Sequence, residues 1–168
     1  MDHESFDSIQ TPHGKRDRIY GGSAIHFALS GSLITRTGII GNAGNDFAAS
    51  YKRFMNKFSI CSSGIKIYKS MPSFEWSGVY NSGTSDPKTI FTRINALGKN
   101  IKSIPHKYSK AKYFFLANID PDQQLHLIKK LSRKSVLTGA DTMNHWIDSK
   151  PSSLMKVLKK VDYFFINE

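Results

Sequence analysis

Hydrophobic positions change period along the chain. In GSAIHFALSGSLI (residues 22–34), Ala24, Phe27, Ala28 and Ile34 recur at helical spacing behind a Gly-Gly turn, and Gly31 shares their face. RTGIIGNAG then reads as a short buried strand, Thr37 to Ile40, closing in a glycine turn. Asn45 or Asp46 can cap a second helix, roughly 46–58, in which Phe47, Tyr51, Phe54 and Phe58 recur every three or four residues. GIKIYKS, SFEWSGVYN and KTIFTRIN, between about 64 and 96, are rich in Ile, Tyr, Phe, Trp and Thr and alternate in part. They predict antiparallel strands, with SGTSDP as a turn. The last third is the most regular. KYFFLANI is an apolar run of strand length, and Asp120-Pro121-Asp122-Gln123 follows as a helix start with an N-cap, a Pro in the first turn and a Gln at the third position. A helix through Leu125, Ile128 and Leu131, a strand SVLTGAD, a helix PSSLMKVLKK and a strand VDYFFIN complete a β-α-β-α-β run over about 112–167. Short connections of that kind predict an α/β fold with a parallel sheet covered by helices.

Composition narrows the class. The 168 residues fit one domain or part of a larger one, and 39% hydrophobic with 12% aromatic residues suffices for a packed core. No apolar run approaches the ~18 residues needed to cross a bilayer. The N-terminus, MDHESFDSIQ, lacks the layout of a secretory signal. A single cysteine, Cys61, excludes an internal disulfide, and no Cys/His cluster has zinc spacing. These features predict a soluble, cytoplasmic protein without a membrane partner. The net charge of +11 comes from 12 Lys/Arg against 7 Asp/Glu in residues 1–100 and 12 against 6 in residues 101–168, so it is spread rather than gathered in a tail. Lys129-Lys130, Arg133-Lys134 and Lys159-Lys160 fall where a solvated helix face accounts for them. No basic stripe with interleaved aromatics appears, which leaves nucleic acid as a secondary expectation.

Two glycine junctions are candidate ligand contacts. Gly21-Gly22 opens a helix, and Gly41-Asn42-Ala43-Gly44-Asn45-Asp46 joins a strand to a helix; backbone N–H groups at such places bind oxygen-rich ligands, or serve only the turn. There is no GxxxxGK[ST] and no defensible Ser/His/Asp order. The sequence stops just after the apolar strand VDYFFIN, where α/β folds place ligands, so a fragment of a larger domain is expected.

Taken in order, Asp7, the segment SIQTPHGKRDRIY, GGSAIHFALS and GIIGNAGNDF resemble the amino-terminal part of the ribokinase-like carbohydrate kinases, the PfkB family. FEWSGVYN, TIFTRINAL, YFFLANIDPDQQL, ADTMNHWI and VDYFFINE continue the resemblance over nearly the whole chain. It implies one partial ribokinase-like domain over 1–168, its carboxyl-terminal half missing, with a parallel sheet flanked by helices and a small antiparallel β lid from strands at about 8–20 and 64–96. On the substrate side it implies that Asp7 sits in the first loop and binds sugar hydroxyls, that Gly21 and Gly22 approach the sugar, and that His26 stands where the family usually has Asn. Trp76 and Arg93 become candidate lid contacts, and Asn118 a sugar or phosphate contact. Asp141, Asn144 and Asn167 fall on the nucleotide and magnesium side, Asn167 opening the family's Asn-x-x-Glu motif. The family's catalytic Asp, in a Gly-Ala-Gly-Asp-type motif, is expected beyond residue 168, so no catalytic residue is assigned.

The resemblance therefore implies transfer of the ATP γ-phosphate to a hydroxyl of a sugar or nucleoside with Mg²⁺, and a chain that is inactive alone. A homodimer through the lid or the open sheet is a further expectation. The competing reading is a non-catalytic remnant that binds sugar or an anionic partner such as nucleic acid.

Overall fold

A two-residue turn, Pro12-His13, folds the first described segment into a hairpin of β1 (Ser5–Thr11) and β2 (Gly14–Gly21). Thr11 Oγ1 accepts the His13 N–H at 3.2 Å within that turn. The computed structural model describes residues 5–47, 49–82, 87–131 and 137–167. After the hairpin come α1 (Ser23–Ser32), β3 (Gly38–Ala43), α2 (Ala49–Lys57) and β4 (Cys61–Ile67). β5 (Phe74–Val79) and β6 (Lys88–Arg93) follow, then β7 (Tyr113–Leu116), α3 (Pro121–Lys130) and β8 (Leu137–Asp141). The last elements are α4 (Asn144–Ser149), α5 (Pro151–Leu158) and β9 (Tyr163–Phe165). Much of the turn SGTSDP and of the Arg133-Lys134 segment lies outside the described residues.

Among the described residues the strands form three sheets. The β-α-β-α-β run forms as expected: β7, β8 and β9 are parallel, with Phe115 opposite Gly139 and Gly139 opposite Tyr163. Asp120 caps α3 by accepting the Asp122 N–H at 2.9 Å, and Pro121 stands in its first turn. Lys150, at the start of α5, reaches Asp120 and Asp122 at 2.7 Å each and so fixes the two helix starts together. Alternation along the strands sends Phe114, Leu116 and Ala140 toward α3 and α5, where Leu127, Ile128 and Val157 complete the core. Each such fully buried aliphatic side chain contributes roughly 1.5–3 kcal/mol. A second core joins Ile25 and Ala28 of α1, Tyr51 and Met55 of α2, and Ile39 and Ile60.

Elsewhere the pairing departs from the expectation. Residues 61–67 do not join the antiparallel set: β4 is parallel to β3, because α2 carries the chain back to the same end before it pairs. With β4 alongside, β3 continues to Ala43, where the sequence suggested a turn from Gly41. The lid sheet, in the order β2-β1-β5-β6, has antiparallel outer pairs but a parallel central pair, β1 with β5. Those two strands are joined by a long crossover rather than a hairpin, so their direction is free. Asp7 lies within β1, next to a bulge, and not in a loop.

The GNAGND junction is a packing device. Gly44 donates its N–H to Ser73 Oγ at 2.8 Å, and Asp46 accepts the Ser73 N–H at 2.7 Å. A Cβ on Gly44 would stand 2.0 Å from the Pro72 carbonyl carbon. Among the described residues no helix is long and apolar enough to cross a membrane.

Candidate functional site

A cleft of about 1220 Å³ opens between the lid sheet and the carboxyl ends of β7, β8 and β9. The lid contributes Asp7, Trp76, Tyr80, Thr89 and Thr92; the floor contributes Gly22, Asn118, Asp141 and Thr142; one wall is α4 with Asn144, His145 and Asp148. Of the residues that the resemblance singles out, Asp7, Gly22, Asn118, Asp141, Asn144 and Asn167 line this space, with Trp76. They come from β1, the start of α1, the ends of three parallel strands, the start of α4, and β5.

Asp7 is held by the two glycines. A Cβ on Gly21 would fall 1.9 Å from its Oδ2, so only glycine leaves the carboxylate room. Gly22 caps α1 at φ 92°, a backbone region that suits glycine, and its N–H bonds to Asp7. Burial raises the Asp7 pKa above its ordinary value, while the nearby His26 charge and the Gly22 N–H pull it down. His26 itself is exposed on α1 beside the cleft.

The floor is held from below. Gln124, 1% exposed, donates from Nε2 to the carbonyls of Leu116 at 2.9 Å, Ala117 at 3.2 Å and Asp141 at 3.1 Å. This side chain ends the β7 ladder at Leu116, three residues before the apolar run itself ends. The Asn118 N–H donates to Ser23 Oγ at 2.9 Å, tying α1 to the strand end. Burial pushes the Asp141 carboxyl up to about 6 against the pull of Ser23 and the Asn118 N–H. Three buried oxygens here have no partner among the described residues: Asn118 Oδ1, Asp141 Oδ1 and Thr142 Oγ1. Unpaired buried polar atoms are costly, and their gathering on one cleft floor is what a ligand with several hydroxyls would satisfy. The lining holds three carboxylates, Asp7, Asp141 and Asp148, and neither Lys nor Arg among the described residues.

Arg93 is placed elsewhere. Its guanidinium donates to Glu75 at 2.8 Å and lies 4.5 Å from the Phe91 ring centre. Arg18 joins the same network through Glu75 at 2.6 Å and Asp46 at 2.9 Å, which links the lid to the GNAGND turn. Trp76 is positioned by Thr89, 3.2 Å from its Nε1, and by Gly78, where a Cβ would stand 2.2 Å from the indole. Tyr80, Thr142, His145 and Asp148 escape the sequence reading. Tyr80 follows β5 as the next lid residue, but α4 has no amphipathic signal long enough to place its side chains.

Away from the cleft, Lys107 Nζ is 2.8 Å from Cys61 Sγ. That hydrogen bond, helped by the Ser63 N–H, lowers the thiol pKa to about 6. Iodoacetamide should therefore alkylate Cys61 with a rate midpoint near pH 6, and Lys107→Met should move the midpoint toward the ordinary thiol range. An unchanged midpoint in that variant would rule out the pairing.

No family model matches the sequence. A cytidine kinase of Thermococcus kodakarensis is 25% identical over 168 residues, which are 99% of this chain and 59% of that protein. The nucleoside kinase of Burkholderia thailandensis in complex with inosine superposes with a TM-score of 0.74 at 14% identity, over 96% of this chain and 57% of the other. The ribokinase of Cryptococcus neoformans in complex with ADP gives 0.77 at 12% identity, over 98% and 54%. The chain thus has the ribokinase-like α/β fold, resembles ribokinase-family kinases from end to end, and spans under three fifths of the length of these relatives.

Proposed function

We propose that the cleft is the substrate side of an ATP-dependent kinase acting on a hydroxyl of a nucleoside or sugar. The observation that carries this reading is the convergence of Asp7 from the lid with the unpartnered oxygens of Asn118 and Thr142 on the floor. A neutral ligand rich in hydroxyl donors satisfies them; a polyanion that brings no metal ion meets three carboxylates and neither Lys nor Arg among the described residues. Trp76, Tyr80 and Phe164 add flat apolar wall suited to a sugar face or a base. The relatives support the same class, one being a cytidine kinase and another being bound to inosine.

Among the described residues no three His, Cys, Asp or Glu side chains gather as a metal site. Mg²⁺ held mainly by nucleotide phosphates and one or two carboxylates needs no such cluster. The buried, unpartnered Asp141 Oδ1 fits a hard cation, and Asp141, Asn144 and Asn167 are the residues that would hold it with the nucleotide. ATP and Mg²⁺ would supply the phosphoryl group and neutralise its charge. In this chain Asp7 orients the hydroxylated ring, and the lid excludes water above it. The 168 residues alone bind substrate without phosphorylating it.

Calorimetry with cytidine, inosine and ribose tests the reading. At least one should bind saturably, and Asp7→Asn should weaken it by about 10–100-fold, the worth of a charged hydrogen bond. Labelled phosphate should not pass from ATP and Mg²⁺ to that ligand on the 168-residue chain. If no nucleoside or sugar binds, or if Asp7→Asn binds as well as the parent, the assignment fails.

A further inference from the structure

Arg18 holds a backbone conformation that a long side chain disfavours. Its φ is 51°, in the left-handed region where glycine is at ease and other residues are strained. The cause is a bulge in the first hairpin. Asp7 faces Ile19 and Ile9 faces Arg16, so Asp17 and Arg18 together stand opposite Ser8. The Arg18 N–H is taken up by Ser8 Oγ at 3.2 Å. Glycine would fit the bulge with less strain, but it would lack the side chain. The Arg18 guanidinium lies 4.2 Å from the Phe6 ring centre and donates to Glu75 at 2.6 Å and to Asp46 at 2.9 Å. Among the described residues, Arg18–Asp46 is the ion pair that ties the lid sheet to the rest of the chain. The others lie within the lid sheet or join Lys150 to the start of α3.

Register puts this pair directly behind the cleft. In the parallel pair of β1 and β5, Phe6 stands beside Glu75 and Asp7 beside Trp76. Alternation sends Phe6 and Glu75 to the face that carries Arg18, and Asp7 and Trp76 to the cleft. Asp46 also accepts the Ser73 N–H at 2.7 Å, one residue before β5 begins. Arg18 thus fastens both strands that carry these cleft residues to one point of the core. We propose that Arg18 is a positioning residue for substrate: its bond to Asp46 latches the lid so that Asp7 and Trp76 stand opposite Asn118 and Thr142. The proposal rests on the reading of the cleft as a nucleoside or sugar site. The Arg18 side chain is 47% exposed, and an ion pair so placed adds little to global stability, while the left-handed backbone subtracts from it. What the arrangement gains is geometry at the cleft.

Arg18→Gly is the decisive variant, because it relaxes the backbone and removes the latch together. The Tm of the 168-residue chain should move by no more than about 3 °C. Calorimetry should nevertheless show whichever of cytidine, inosine and ribose binds the parent held about tenfold more weakly. Asp46→Asn keeps a side-chain oxygen for the Ser73 N–H and loses the charge opposite Arg18, so it should weaken binding likewise. R18G/D46N should then bind no more weakly than Arg18→Gly alone, since both changes break one link. Without ligand, acrylamide should quench Trp76 more steeply in either variant than in the parent; Trp146, 6% exposed, contributes little to that signal. Parent-like affinity in Arg18→Gly would overturn the latch, and so would an affinity that falls only as far as Tm does. If the parent binds none of the three ligands, the reading of the cleft fails, and quenching alone decides the latch: equal quenching in parent and variants sinks it too.

Discussion

Gly44→Ala is expected to destabilise the fold by about 3 kcal/mol, enough to lower the urea midpoint sharply. The added methyl would lie 2.0 Å from the Pro72 carbonyl carbon, 2.1 Å from the Ser73 nitrogen and 2.6 Å from the Met71 oxygen. All three are backbone atoms, so no rotamer change relieves the overlap. The segment is also tied from several sides. Ser73 is 1% exposed, its hydroxyl accepts the Gly44 N–H, its own N–H goes to Asp46, and its carbonyl accepts from Asn95 Nδ2 at 2.9 Å. Moving the chain at 71–73 to make room therefore breaks hydrogen bonds that join β3 to the start of β5. Gly98→Ala is the control: its Cβ would meet only Ile94 Cγ2, at 3.2 Å, and about 1 kcal/mol or less is expected. Equal urea midpoints for the two variants would show that the turn does not pack as described. A phosphate-binding role for this junction predicts instead a stable Gly44→Ala protein that has lost only ligand.

The second large effect is the pH-dependent gain from Asp141→Asn. The ordinary Asp value is 3.8, and burial lifts Asp141 to about 6 in the folded chain. The folded state therefore keeps this proton to higher pH than the unfolded state does. Below pH ~4 both states are protonated and the group costs nothing; between ~4 and ~6 stability falls as pH rises; above ~6 the whole penalty is present. A shift of about two units corresponds to at most about 3 kcal/mol. Asn removes that penalty while its side-chain oxygen can still accept from Ser23. For a chain of this size a Tm rise of about 5–10 °C is expected at pH 7.5, with almost none at pH 4. A gain equal at both pH values would point to packing rather than ionisation. A loss at pH 7.5 would mean that the carboxylate stabilises the fold, contrary to its burial. On the proposed function the same variant binds substrate or nucleotide less well, the usual exchange of stability for function at a site.

Much of this architecture was legible before any coordinates. Asp120-Pro121 announces α3 because capping and a fixed proline φ are local chemistry, and the two-step and three-to-four-step periods of the last third follow from strand and helix geometry alone. Order of motifs along the chain was enough to point to the ribokinase-like fold. The site was legible in part. Asp7, Gly22, Asn118, Asp141, Asn144 and Asn167 do share one cleft, whereas Arg93 is turned away to Glu75. Charged side chains on a half-exposed strand take whichever partner the neighbouring strand offers, and sequence spacing does not name that partner.

By itself the sequence determined most of the helices and strands and that the last three strands run parallel. Those properties rest on interactions between residues close along the chain, or on a motif read whole. The tertiary structure alone decided that β4 joins β3 and that β1 lies parallel to β5. It also decided that Gln124 braces the end of β7, that Gly21 must be glycine beside Asp7, and that carboxylates line the cleft. Each of these depends on contacts between residues far apart in sequence, where direction, burial and charge are settled by what packs alongside rather than by the local pattern.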